Sequence, residues 1–203
     1  MNKDLFLKDV RNHRLTVIRD KGMYRHLRFG IPGSSTMRFD ILTWPGYLCY
    51  TGDMGTFVFR RLDDMLQFFR SPHDQPLSTS PDYWAEKLEA VDTCGGLKSF
   101  DRRVFDETVQ SWIDDFCDGE GLLAKDKLDL VREVGDRLRY CESDDERGLQ
   151  EALDGLSCNG NEVFESFYGT DCRSYSPRYL WCCLALPWAI KVYDDYKDSP
   201  EAQ

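Results

Sequence analysis

A chain of 203 residues in which 13% are aromatic can bury a substantial core and carries too many large rings to be disordered. A formal charge of −10 and a mean hydropathy of −0.53 describe a strongly charged surface and weigh against a protein that coats nucleic acid along its whole length. The charge is also divided: residues 1–72 carry 12 Lys+Arg against 7 Asp+Glu, whereas residues 73–203 carry 14 against 29.

From the start of the chain, Lys3 to Arg11 suits a short helix with a weak apolar stripe. The opening Met1-Asn2-Lys3-Asp4-Leu5-Phe6 is charged and has no apolar stretch of the kind that exports a protein, so the expected location is the cytoplasm. Five short strands follow. Leu15–Arg19 and Met23–Phe29 flank the turn Asp20-Lys21-Gly22. Thr36–Thr43 ends at Trp44-Pro45-Gly46, and Tyr47–Thr51 and Thr56–Arg60 form a hairpin around Gly52-Asp53-Met54-Gly55. Tight turns between successive strands predict an antiparallel meander. In the third strand Met37, Phe39 and Ile41 alternate with Arg38 and Asp40, which gives the sheet one apolar and one polar face.

Leu62–Arg70 reads as a helix. Ser71–Pro81 holds three prolines and no periodicity, and the charge changes sign across it, which predicts a boundary between a basic β-rich subdomain (1–72) and an acidic helical one (73–203). Ser80-Pro81 has the residues of a helix start, and a helix is expected over Asp82–Val91. Phe105, Val109, Trp112 and Phe116 recur at helical spacing, as do Val131, Val134 and Leu138. Ser143-Asp144-Asp145-Glu146 is a capping-box pattern ahead of Leu149, Ala152, Leu153 and Leu156. Ser176-Pro177 opens a last helix that Pro187 should kink. Its apolar run, Leu180–Ile190, is about half the length of a membrane span, so no membrane partner is expected. Strands first and helices after predict an α+β fold.

The motifs of catalysis and metal binding are weak. Eight cysteines without C-x-x-C spacing read as reduced core thiols. A calcium loop tried at Asp114–Lys125 fails, because Phe116 and Lys125 stand where oxygen ligands are needed. Adjacent acids such as Asp114-Asp115 diverge by about 100° on a helix and do not converge on one atom. No cofactor or metal is expected. Three surfaces remain: an acidic one with Asp114, Asp115, Asp118, Glu120, Asp144, Asp145 and Glu146; a basic sheet face with Tyr24, Arg25, His26, Arg28 and Arg38 that could stack on and pair with nucleic acid; and an enzyme site near Cys49, His26 and Asp53.

Gly22-Met-Tyr-Arg-His-Leu-Arg-Phe29, Pro32-Gly-Ser-Ser35, Phe39-Asp40, Thr43-Trp-Pro-Gly46, Gly52-Asp-Met-Gly-Thr56, Phe59, Asp64-Met65 and Phe68-Phe69-Arg70 together resemble an uncharacterised family of proteins encoded by tailed phages and prophages. The resemblance covers about residues 20–70 and brings no catalytic residues with it. It implies an accessory protein acting inside an infected bacterium. In that setting an acidic helical surface can imitate a phosphate backbone. The expected function is therefore non-enzymatic: binding, and inhibiting, a basic host protein such as a nuclease or an RNA-guided defence complex.

Overall fold

The computed structural model describes residues 2–141 and 145–199. The chain begins with α1 (Lys3–Val10) and continues through β1 (Arg14–Lys21), β2 (Tyr24–Gly30), β3 (Phe39–Trp44), β4 (Tyr47–Gly52) and β5 (Gly55–Arg60). After α2 (Met65–Phe69) and α3 (Pro81–Ala85) come β6 (Leu88–Val91) and β7 (Lys98–Phe100). Three helices follow, α4 (Arg102–Glu120), α5 (Ala124–Arg139) and α6 (Glu146–Leu153), then a small hairpin, β8 (Ser157–Cys158) and β9 (Asn161–Glu162). A 3-10 turn at Phe167–Gly169, β10 (Arg173–Tyr175) and the long α7 (Pro177–Lys197) complete it. The fold is α+β, and the predicted meander is present.

Contacts divide the chain into two compact units, residues 1–98 with 175–203, and residues 99–174. The boundary expected at Ser71–Pro81 is not where the structure divides. The proline-rich stretch marks a change of surface composition only. Trp84 of α3 and the whole apolar face of α7 belong to the same core as the strands. Redrawn on these units, the charge remains divided, now between a near-neutral unit and an acidic one. Unit 2 carries 20 acidic and 9 basic residues, a net of −11, while unit 1 carries 16 and 17, a net of +1.

In unit 1, six strands pair in chain order, all antiparallel. Alternation decides the faces: Leu27 and Phe29, Phe39 and Ile41, Leu48 and Tyr50, and Phe57 and Phe59 are buried on one side. Onto that side pack Phe6 of α1, Met65 and Phe69 of α2, and α7. The Trp181 ring meets Phe6 edge-on at 5.1 Å and Phe39 at 5.5 Å, and its indole N–H donates to Asp9 Oδ2 at 3.1 Å. Each such aromatic burial contributes roughly 1.5–3 kcal/mol. Pro45-Gly46 turns β3 into β4 with Gly46 at φ +84°, a backbone that glycine takes without strain. Ser176 caps α7 as expected, its Oγ accepting the Tyr179 N–H at 3.2 Å, and Pro187 lies inside the helix.

The helix expected over Asp82–Val91 is only half formed. It stops at Ala85, and Leu88–Val91 pairs with β5 as the sixth strand. The open edge of β5 offers hydrogen bonds, and Leu88 and Val91 pack against the core, which outweighs local helix preference.

Unit 2 has its own core. Phe105, Val109, Ile113 and Cys117 are the fully buried stripe of α4, so the predicted stripe is rotated: Trp112 and Phe116 sit at its margin, half-buried. Against it lie Leu130 and Val134 of α5, Leu149 and Leu153 of α6, and Phe164 and Phe167. Asp101 caps α4, and Gly121 ends it in the left-handed conformation at φ +59°. The capping box falls partly on residues 142–144, outside the described residues; the helix starts at Glu146 with Asp145 as its cap.

Candidate functional site

The sheet face that faces away from the core carries Tyr24, His26 and Arg28 on β2 beside Asp40 on β3. Asp40 is the hub. It accepts from His26 Nε2 at 2.7 Å and from Arg28 Nε and Nη2 at 2.9 Å. Burial pulls the Asp40 carboxyl up, but the Arg28 and His26 hydrogen bonds and the guanidinium charge prevail and hold it below the ordinary 3.8. Tyr24 is half exposed, with the Arg19 guanidinium 6.0 Å from its ring centre. Arg25 is not a contact residue. It is bound through both terminal nitrogens to Asp64, which also caps α2, and its side chain is only 12% exposed. The basic face is thus largely neutralised from within unit 1. Arg38 stands apart, exposed at the end of the 31–38 loop.

The enzyme site near Cys49, His26 and Asp53 does not assemble. Leu42 of β3 stands between His26 of β2 and Cys49 of β4 in the register, so the thiol and the imidazole are two strands, about 10 Å, apart. The Cys49 thiol donates to the Tyr50 carbonyl, and burial pushes its pKa up, the reverse of nucleophile activation. Asp53 holds the loop before β3, accepting the Met37 N–H at 2.9 Å.

Of the acidic residues, Asp114 is bound by Lys127 at 2.9 Å and by Gln110 at 3.0 Å, which lower its pKa. Glu120 accepts from Asn161, Asp145 caps α6, and Glu146 pairs with Arg173 at 3.0 Å. Asp144 lies outside the described residues. Asp115 and Asp118 remain exposed on α4 with no hydrogen-bond or ion-pair partner among the described residues. Along the helices, pairs such as Arg102–Asp106, Arg103–Glu107 and Arg147–Glu151 neutralise many other acids locally.

What the fold brings together is a different group. Asp115, Glu162 and Glu165 flank a 400 Å³ groove floored by Trp112, Phe116 and Val163. The Trp112 indole N–H donates to the Val163 carbonyl at 2.6 Å, which ties this groove's two sides, α4 and the segment after β9. All three carboxylates are exposed and lack a partner among the described residues. Sequence reading missed Glu162 and Glu165, because they lie about 50 positions from Asp115. Their one local signal was the turn Asn159-Gly160, with φ of +52° and +88°, which folds the hairpin.

A cavity of 620 Å³ lies between residues 70–77 and α7. Its charges pair with each other, Arg70 with Asp194 at 2.8 Å and Lys191 with Asp195 at 2.6 Å. Asp194 and Asp195 diverge to separate partners, as adjacent helical acids must. Among the described residues no group of three His, Cys, Asp or Glu is placed to hold a metal ion. No described helix is long and apolar enough to cross a membrane. All eight cysteines are free, and Cys117, Cys172, Cys182 and Cys183 are buried. Comparison with protein-family models, with curated proteins and with solved structures returns no match.

Proposed function

We propose that this is a non-enzymatic binding protein whose unit 2 engages a basic partner protein, with the Asp115–Glu162–Glu165 groove at the centre of the contact. The observation that carries this reading is the net −11 of unit 2 together with a groove where three carboxylates without partners among the described residues rim an aromatic floor. Such a groove suits a Lys- or Arg-rich segment: the rim steers and neutralises its charges, while Trp112 and Phe116 accept an apolar or guanidinium side chain. The resemblance of residues 20–70 to phage-encoded proteins supplies the setting. The partner would then be a bacterial protein that handles nucleic acid and presents a phosphate-binding surface, and occupation of that surface would inhibit it.

Capture from bacterial lysate tests the reading. The intact chain should retain one basic protein at low salt and release it as salt rises through about 0.5 M, where the screening length falls to a few Å. The triple variant Asp115→Lys, Glu162→Lys, Glu165→Lys should capture nothing. A control with Glu133→Lys and Asp136→Lys, acids already paired on α5, should capture normally. Capture that survives the triple variant removes the groove from the proposal.

A further inference from the structure

A second surface, on unit 1, has the opposite chemistry. Arg14 opens β1 and pairs in register with Gly30 at the end of β2. Arg28 lies two residues before that glycine, and Arg38 closes the loop that leads into β3. Three arginines from three chain segments therefore come to one corner of the sheet, where they line a 250 Å³ pocket with Thr16, Gly30 and Ser34. No carboxylate lines it. Arg28 leans on Asp40 beside the pocket, whereas Arg14 and Arg38 have no carboxylate partner among the described residues. In a chain with ten more negative than positive charges, acids are abundant. Elsewhere Arg25, Arg70, Arg137 and Arg173 each have one, whereas Arg11, Arg19 and Arg61 have none among the described residues. Two arginines left open beside a third mark a place where an anion is the missing partner.

The backbone around the pocket is arranged for Arg38. A Cβ on Gly30 would lie 3.0 Å from Arg38 Cγ, so the glycine gives the arginine stem room to cross the strand end. Met37, immediately before it, takes the left-handed conformation at φ +54°. That costs a non-glycine residue on the order of 1 kcal/mol. Two hydrogen bonds hold it there: its N–H donates to Asp53 Oδ2 at 2.9 Å, and its carbonyl lies 2.9 Å from His13 Nε2. The absent side chain and the left-handed residue both lie directly beside one exposed arginine.

We infer that the Arg14–Arg28–Arg38 pocket binds a single phosphate group, free or as a monoester. Planar guanidinium forks match the oxygens of a tetrahedral phosphate, and the volume is below that of a pocket for a drug-sized molecule. A nucleic-acid backbone fits less well. It needs a run of cations along several phosphates, and unit 1 as a whole is only +1.

The test is an NMR titration of the uniformly labelled full chain in a phosphate-free buffer, first with inorganic phosphate and then with phosphoserine. Saturable shifts are expected at the Gly30, Gly33 and Ser34 amides. Arg14→Ala and Arg38→Ala should each weaken binding about tenfold, the loss of one charge-assisted hydrogen bond, with melting temperature unchanged because both side chains are exposed. Gly30→Ala keeps every charge but displaces Arg38, and should weaken binding as well. Tighter binding of phosphoserine identifies a ligand-borne phosphate; equal binding identifies the free ion. Absence of saturable shifts up to about 50 mM, where a millimolar site is filled, overturns the inference, as do shifts that persist in the Arg14→Ala, Arg38→Ala double variant. A single-stranded oligonucleotide that binds more tightly than either, with shifts running across β2–β4, would replace the single-phosphate site with a strand-binding face.

Discussion

Asp40 shows how one residue converts a charged sheet face into structure. It is only partly exposed, at 15%, and serves a guanidinium and an imidazole at once. Asp40→Asn keeps the shape and removes the charge; with Arg28 42% exposed and able to turn to water, the expected loss is about 1 kcal/mol, measured by denaturant unfolding at neutral pH. The pH dependence has a definite sign. The folded carboxyl titrates below its ordinary 3.8, so its stabilisation is fully present above that value, fades as pH falls below it, and is lost once the pH is under the depressed folded value. The difference between the native chain and Asp40→Asn should therefore close on acidification below about pH 4. A gap that stays open at the lowest pH would assign the Asp40 contribution to packing.

At the scale of elements, α1 and α7 form one layer over the sheet, and their joint is Trp181. Trp181→Ala removes the edge contact to Phe6 and the bond to Asp9, at an expected cost of about 3–5 kcal/mol. Hydrogen exchange should show α1 losing protection first, since Phe6 and Val10 are its only fully buried side chains. Equal loss of protection throughout unit 1 would mean that α1 is not separately held. The strands were legible because each is bounded by glycine or proline turns and alternates cleanly; Phe39 and Ile41 against Asp40 is the plainest case. β6 was not, since Leu88-Glu89-Ala90-Val91 has no strand signature of its own and becomes one by pairing with β5. The site was half legible. Asp115 could be picked out as part of an acidic helix, but which acids are already spoken for depends on Lys127, Asn161 and Arg173, and their placement is tertiary.

The whole molecule is a discontinuous unit with a continuous one set into its sequence. Unit 1 takes its last layer from residues 175–203, where α7 contributes eleven buried residues, whereas unit 2 has its own core within residues 99–174. A chain stopped after Ser174 should keep dispersed NMR signals for Leu149, Leu153 and Phe167 and lose those of β2 to β5. Retention of a native-like sheet in that truncated chain would show that α7 covers the core without being needed to form it. The interruption also sets an order of events during synthesis. At about 5–20 residues per second, a ribosome spends roughly 4–15 s making the residues between Lys98 and Tyr175. Throughout that interval the nascent sheet presents Leu27, Phe39, Tyr50 and Phe59 to solvent with their main cover still untranslated. The middle of the polypeptide can mature while its beginning waits, and the waiting segment is the one with the most need of a chaperone.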